Sequence, residues 1–232
     1  MKCTVALGIC LLIIGCGGGE VEQLKQANEK LNNENRSLKS SLSKKQREID
    51  RAGEIGKRMA FLVGQIRNVK ARIVTNMGDI EVKFYPEKAP IHCFAFIARA
   101  ESGFYDNTKF HRVMKGFMIQ SGDPNSKDDN PYDDGGGGPL VHMPHEFNDI
   151  KHVAGILSTA RVPDVSDGAG TQFFIMHGPK PNLDTQYTAF GEVTKGMDVV
   201  NAIASVDILQ GDPNLRNRPA SPVIIKRIDV FR

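Results

Sequence analysis

The stretch FHRVMKGFMIQSGDP, residues 110–124, sets one guanidinium, Arg112, among apolar side chains that include Phe117 and Met118, with the amide of Gln120 close behind. A charge that does not titrate away beside an apolar floor is an unusual thing to build into a strand. A second apolar run, TQFFIMHG (Thr171–Gly178), supplies another amide, Gln172, and two aromatics. Alternation of strand side chains puts Phe173 in the core and Phe174 on the opposite face. Together the two runs read as a pocket for an apolar ring attached to a polar backbone, which describes proline within a peptide. The plain alternative is a solvated strand arginine beside ordinary core aromatics. His111 neighbours Arg112 but should point to the other face of the strand, so it is given no role. His142 and His145 sit three apart without a third ligand at a suitable spacing, and no metal site is expected. Ser126–Gly138 carries several carboxylates without an alternating ligand pattern and reads as a mobile insertion beside the pocket.

The elements that must hold these groups are mostly strands. After Val69 the apolar pattern has period two: Ala71–Val74 and Ile80–Tyr85 flank a Gly-containing turn. Ile91–Ser102 reads as a helix with Phe94, Ile97 and Ala98 on one face, stopped by Gly103. Cys93 on that helix reads as a small buried apolar residue. Short strands follow at Thr108–Val113, Phe117–Ser121, Gly155–Thr159, Phe173–Met176 and Ala189–Val193. Val199–Ile203 reads as a second helix, and Val223–Val230 closes as a strand. Many short strands with two isolated helices predict a mainly β fold, a closed barrel with helices over its ends.

In order, the segments MGDIEVKFYPEKAP, FYDNTKFHRVMKGFMIQSGDP, PHEFN, LSTA, TQFFI and NLDTQYTAFGEV make residues 71–232 similar to the cyclophilin-type peptidyl-prolyl isomerases. The resemblance implies an eight-stranded antiparallel barrel capped by two helices, and an enzyme that turns Xaa–Pro bonds without nucleophile, metal or cofactor. It gives Arg112 the catalytic position and Gln120 the amide that orients it. It places Phe117, Met118, Phe174 and Leu183 around the proline ring, and Ala160, Arg161, Gln172 and Tyr187 along the groove that holds the rest of the substrate. Three positions depart from many relatives: Tyr187 replaces His, Arg161 replaces Asn, and Asn182 stands where cyclosporin-sensitive members have Trp. The last change should weaken binding of that cyclic peptide.

The N-terminus and the charge distribution frame this domain. Lys2 precedes the apolar run VALGICLLIIG, too short for a comfortable membrane span and suited to a secretory leader. It ends in Ile13-Ile14-Gly15-Cys16, which resembles the lipobox of bacterial lipoproteins and implies cleavage before Cys16 and its lipidation. Gly17 follows rather than Asp, and by analogy with enterobacterial sorting this points to the periplasmic face of the outer membrane. Residues 17–70 carry 12 Lys/Arg against 7 Asp/Glu, whereas residues 71–232 carry 17 against 20. A mildly acidic globule argues against a nucleic-acid partner. From Glu20 to Ala52 neither Gly nor Pro occurs. Leu24, Leu31 and Leu38 repeat at one seam position, and Val21, Asn28, Asn35, Leu42 and Ile49 at the other. This is coiled-coil spacing, broken by Lys45 and weakened by Gly53 and Gly56. An oligomerising stalk and a solvated single helix both remain open.

The expected organisation is therefore a leader (1–15), a lipidated Cys and Gly linker (16–19), a helical stem (20–68) and the isomerase-like domain (69–232). The expected partners are proline-containing polypeptides, a lipid bilayer through Cys16, and further copies through the stem. Three functions compete: an anchored prolyl isomerase for exported proteins, a module that binds proline segments with little turnover, and a structural stalk with a barrel head.

Overall fold

The computed structural model describes residues 18–138, 142–161 and 168–232. The leader and Cys16 lie outside these residues. The chain divides into two units, one ending at Lys57 and one spanning Arg58–Arg232. A single helix, α1 (Gly18–Ile66), supplies the described part of the first unit and the opening turns of the second. It runs unbroken through Gly53 and Gly56, where the sequence predicts weakening, and through Gly64. Isolated glycines cost about 1 kcal/mol each, and strong helix formers such as Ala52, Glu54, Lys57 and Met59 surround them. In the second unit Ile66 is buried, and Val69 donates its amide to the Ile66 carbonyl at 3.2 Å, which ends the helix. Among the described residues no helix is long and apolar enough to cross a membrane.

The second unit is built on one eight-stranded antiparallel sheet. Its strands are β1 (Lys70–Thr75), β2 (Gly78–Phe84), β3 (Arg112–Met114), β4 (Met118–Ser121), β5 (Ile156–Arg161), β6 (Ala169–Met176), β7 (Ala189–Lys195) and β8 (Ile225–Phe231). They lie in the order β3-β4-β6-β5-β7-β2-β1-β8. The expected closed barrel is not completed by a regular ladder. Edge strands β3 and β8 are not paired with each other. Instead the chain leading into each makes a short seam: Asn107 donates to Ile225 O, Ile225 to Thr108 O and Phe110 to Val223 O, at 2.8 Å each. The predicted strand Thr108–Val113 is therefore shortened, because its first half is used for this seam.

The sheet curls around a core that includes Ile73, Ile80, Phe110, Ile119, Phe173 and Phe190. Helix α2 (Pro90–Glu101) packs His92, Cys93, Phe96, Ile97 and Ala100 into it. Phe96 lies 5.2 Å from Phe173 edge-on and 5.5 Å from Phe190. Phe94, expected on the buried face, is exposed, and Phe96 takes that place. Cys93 is fully buried, with its thiol 3.2 Å from Phe190 O, and burial pushes the thiol's pKa up. A shorter helix, α3 (Met197–Ile203), buries Val200 and Ile203.

Helix α2 has no local side-chain cap. Its first turn is satisfied from 54 and 55 residues away: Glu146 accepts the amides of Ile91 (3.0 Å) and His92 (2.9 Å), and its carboxylate lies 2.6 Å from His92 Nδ1. A carboxylate at a helix N-terminus also meets the positive end of the helix dipole. One side chain thus fixes both the helix and the long segment approaching β5.

Candidate active site

Tight turns and register bring the polar groups together. β3 and β4 form a hairpin with Met114 opposite Met118, so Arg112 falls opposite Gln120. β4 then pairs with β6, placing Gln120 opposite Phe174 and Met118 opposite Met176. Side chains alternate across a strand. Arg112 and Met114, Gln120 and Met118, and Gln172, Phe174 and Met176 therefore share the face turned away from the main core, while Ile119 and Phe173 face that core. Expected division between Phe173 and Phe174 is what the packing shows.

On this face a second apolar cluster forms from buried Met118, Phe174, Met176 and Leu183, with Phe117, Ala160 and Tyr187 partly buried at its rim. Tyr187 meets Phe174 edge-on at 5.8 Å. Leu183 comes from the turn Pro181–Leu183 and accepts the amide of Tyr187 at 3.2 Å. Arg112 stands at the edge of this floor, half-buried, 5.9 Å from the Phe117 ring centroid. Its Nη1 donates to Gln120 Oε1 at 3.1 Å and its Nη2 approaches Met114 Sδ at 3.2 Å. Burial draws the guanidinium pKa down, and nearby Tyr187 acts in the opposite sense. The group keeps its charge, as arginine does in proteins.

A relay of amides fixes Arg112 from behind. Gln120 Nε2 donates to Gln172 Oε1 at 2.9 Å, and Gln172 Nε2 reaches the carbonyls of Gly135 (2.9 Å) and Gly137 (2.8 Å). Those glycines are held in turn by Asp123. Its carboxylate accepts the amides of Asn125 (2.8 Å), Gly135 and Gly137 (3.2 Å). Gly122, at φ +85°, turns the chain from β4 into this position, and a Cβ there would sit 2.7 Å from the Thr171 carbonyl. The segment Ser126–Gly138 is thus fastened over the site, contrary to the mobile insertion expected. Asp134 also pairs with Arg218, and Tyr132 reaches Asp212 at 3.2 Å. The physical reason is that its carbonyls and amides find partners far along the chain.

A cleft of about 350 Å³ continues from the apolar floor, lined by Gln120, Gln172, Ala160, Arg161, His142 and the glycine run from Gly135. Arg161 donates Nε to Gln186 O at 3.0 Å and lies 4.6 Å from the Tyr187 ring centroid. Gln120, which braces Arg112, and Ala160, which packs on the apolar cluster, connect this cleft to the floor. His145 stacks on Phe147 at 4.6 Å.

Sequence reasoning gave no role to the groups beneath the floor. His152 lies 3.2 Å from Asp184 Oδ1 and 3.1 Å from Ser158 Oγ, and its ring stacks near Phe174 at 6.2 Å. The arrangement has a Ser, a His and an Asp in line. Ser158 is fully buried and donates to Thr188 O at 2.9 Å, so its hydroxyl is a brace and not an exposed nucleophile. His111 is a second omission. It is buried, with the Lys109 backbone beside its ring. Burial lowers its pKa, opposed by Asp123 and Asp134 and assisted by Arg218. An unfolded imidazole titrates near pH 6.5. Below that value the unfolded chain takes up a proton that the folded site resists, so folding stability falls with falling pH. We expect His111→Phe to flatten this loss between about pH 7 and 5, read as urea midpoints at each pH. Parallel pH slopes for variant and wild type would contradict it.

Fold and site together describe a curled antiparallel sheet with a cation held at the edge of an apolar cleft. The sequence matches the family of cyclophilin type peptidyl-prolyl cis-trans isomerase/CLD over residues 70–230. It is 37% identical over 166 residues to a peptidyl-prolyl cis-trans isomerase-like 1 of Neurospora crassa, covering 69% of this chain and 93% of that protein. It is 38% identical over 166 residues to a peptidyl-prolyl cis-trans isomerase-like 2 of Rhizopus delemar. There the match covers 69% of this chain and 28% of that longer protein. A crystal structure of a Cryptosporidium parvum cyclophilin type isomerase, obtained in the presence of the dipeptide Ala-Pro, superposes with a TM-score of 0.62. The two are 31% identical, and the match covers 70% of this chain and 99% of that one. This chain belongs to the cyclophilin-type peptidyl-prolyl cis-trans isomerases.

Proposed function

We propose that the chain catalyses rotation about Xaa–Pro bonds in exported polypeptides. The observation that carries this reading is Arg112, braced by Gln120 at 3.1 Å at the rim of the Met118, Phe174 and Leu183 floor. Amide resonance sets the uncatalysed barrier at roughly 18–20 kcal/mol. In the half-rotated bond that resonance is lost, and the prolyl nitrogen regains a lone pair that accepts a hydrogen bond. A fixed cationic donor then stabilises the twisted form more than either planar isomer, which is what accelerates a reaction. The apolar floor holds the ring while the flanking backbone turns. Gln120 and Gln172 restrict the guanidinium to one position, so little reorganisation is needed at the moment of rotation. A protease-coupled assay of the full chain on a short Xaa–Pro peptide tests this: acceleration well above the spontaneous rate supports it, and the spontaneous rate at saturating protein removes it.

The anchored, exported placement rests on the lipobox-like Ile13–Cys16 and on the basic stem that follows Gly19, free of Gly and Pro from Glu20 to Ala52. In this reading Cys16 carries the acyl chains, the outer membrane's periplasmic face holds them, and α1 is an oligomerising stalk. Cys16→Ser should move the chain from the membrane fraction to the soluble fraction. Continued sedimentation with washed membranes would overturn the anchor.

A further inference from the structure

We infer that α1 pairs with a second copy of this chain as a parallel, in-register, two-stranded coiled coil. The inference rests on reading the stem as a stalk and adds its number, direction and register. Leu24, Leu31, Leu38 and Leu42 are 58–71% exposed on the helix, an apolar stripe left uncovered within the described part of the first unit. The other faces from Glu22 to Ser40, for example Glu22, Gln26, Glu29, Asn33 and Ser40, are polar. One narrow stripe serves one partner helix rather than a larger bundle. Branched Val21 and Ile49 share one seam position with Asn28, Asn35 and Leu42, and leucines fill the other; branched residues at the first and leucine at the second favour two strands.

Charge sets the direction. The positions flanking the seam on one side are Glu20, Ala27, Glu34 and Ser41, and on the other Lys25, Asn32, Lys39 and Gln46. A parallel pair in register brings each residue of the first set against the residue five positions further on in the second copy. Glu20 then meets Lys25 and Glu34 meets Lys39, while Ala27 and Ser41 meet the amides Asn32 and Gln46. Among these flanking positions no like charges face each other; the one like pair is Lys45 against its own copy, where the seam breaks. An antiparallel pair joins the first set to itself and the second set to itself, so every charged contact it makes is carboxylate on carboxylate or ammonium on ammonium. Asn28 and Asn35 fix the register: in the aligned pair each seam amide faces its own copy, whereas a slip of one heptad leaves an unmatched amide against Val21 or Leu42.

Charge swapping tests the pairing in the full chain. Glu34→Lys puts two Lys–Lys contacts into its homodimer, and Lys39→Glu puts two Glu–Glu contacts into its own. A mixed dimer of the two restores Glu–Lys on both sides. The variants, one of them tagged, are coexpressed, solubilised in mild detergent and weighed by native mass spectrometry. We expect a two-chain species in which the mixed dimer exceeds either homodimer by about tenfold. Leu31→Cys should also give an interchain disulfide under mild oxidation, and outward-facing Ser37→Cys should not. A monomeric wild type overturns both the dimer and the stalk. A trimer or larger species, or statistical mixing of the variants, overturns the parallel dimer and leaves the stalk standing.

Discussion

Replacing Arg112 by alanine is expected to cut the isomerisation rate by about 10²–10³-fold, with peptide affinity changed by less than about fivefold. The asymmetry follows from the geometry. In the proposed reading the proline ring is gripped by Phe117, Met118, Phe174 and Leu183, of which only Phe117, 5.9 Å from the guanidinium, neighbours the substitution. The guanidinium contributes most when the prolyl nitrogen becomes an acceptor, and that occurs only in the half-rotated state. Arg112→Lys is expected to recover little, because an ammonium cannot keep one nitrogen on Gln120 Oε1 and present a second at fixed spacing. A protease-coupled assay gives the rate, and calorimetric titration of an Xaa–Pro peptide gives the affinity. Parallel losses of rate and affinity would instead make Arg112 an ordinary binding contact.

The second large effect concerns stability. Asp123→Ala is expected to cost about 1–3 kcal/mol, because it strips the acceptor from the amides of Asn125, Gly135 and Gly137, which are partly open to water, and empties a buried carboxylate site. The Asp123 side chain is fully buried, so water replaces it poorly. Urea denaturation measures the loss, and amide exchange at Gly135 and Gly137 locates it. Release of the glycine run also frees Gln172, so activity should fall in this variant even where the sheet stays folded. Fast exchange at these glycines with an unchanged core is the expected pattern. Unchanged protection at both glycines would show that Asp123 does not hold the segment.

What could be read from the sequence was mostly local. Arg112 and Gln120 are eight residues apart across a tight hairpin, so their meeting is written in a short stretch. The separation of Phe173 from Phe174 followed from strand alternation alone. Elements whose partners are distant were harder. Glu146 caps α2 from 54 residues away, and no periodicity announces a carboxylate aimed at backbone amides. Phe94 and Phe96 both suit an amphipathic helix, and only the aromatic cluster with Tyr105, Phe173 and Phe190 decides which is buried. The segment after Ser126 looked loose because glycine and acid composition describes a chain without its partners; Asp123, Gln172 and Arg218 supply them. The seam of the sheet likewise depends on residues 107–110 meeting residues 223–225, a pairing that neither segment shows by itself.

The most direct test is the exchange rate of a proline peptide while it is bound. Two-dimensional NMR exchange at saturating protein reports the cis-to-trans and trans-to-cis rates on the enzyme itself. A guanidinium that favours the twisted bond predicts that both rates rise together from the free peptide's scale of tens to hundreds of seconds to below a second. The bound isomer ratio should change little, and Arg112→Ala should slow both directions by the same factor. A peptide that binds in the Phe174 cleft and still exchanges at its free rate would contradict the account.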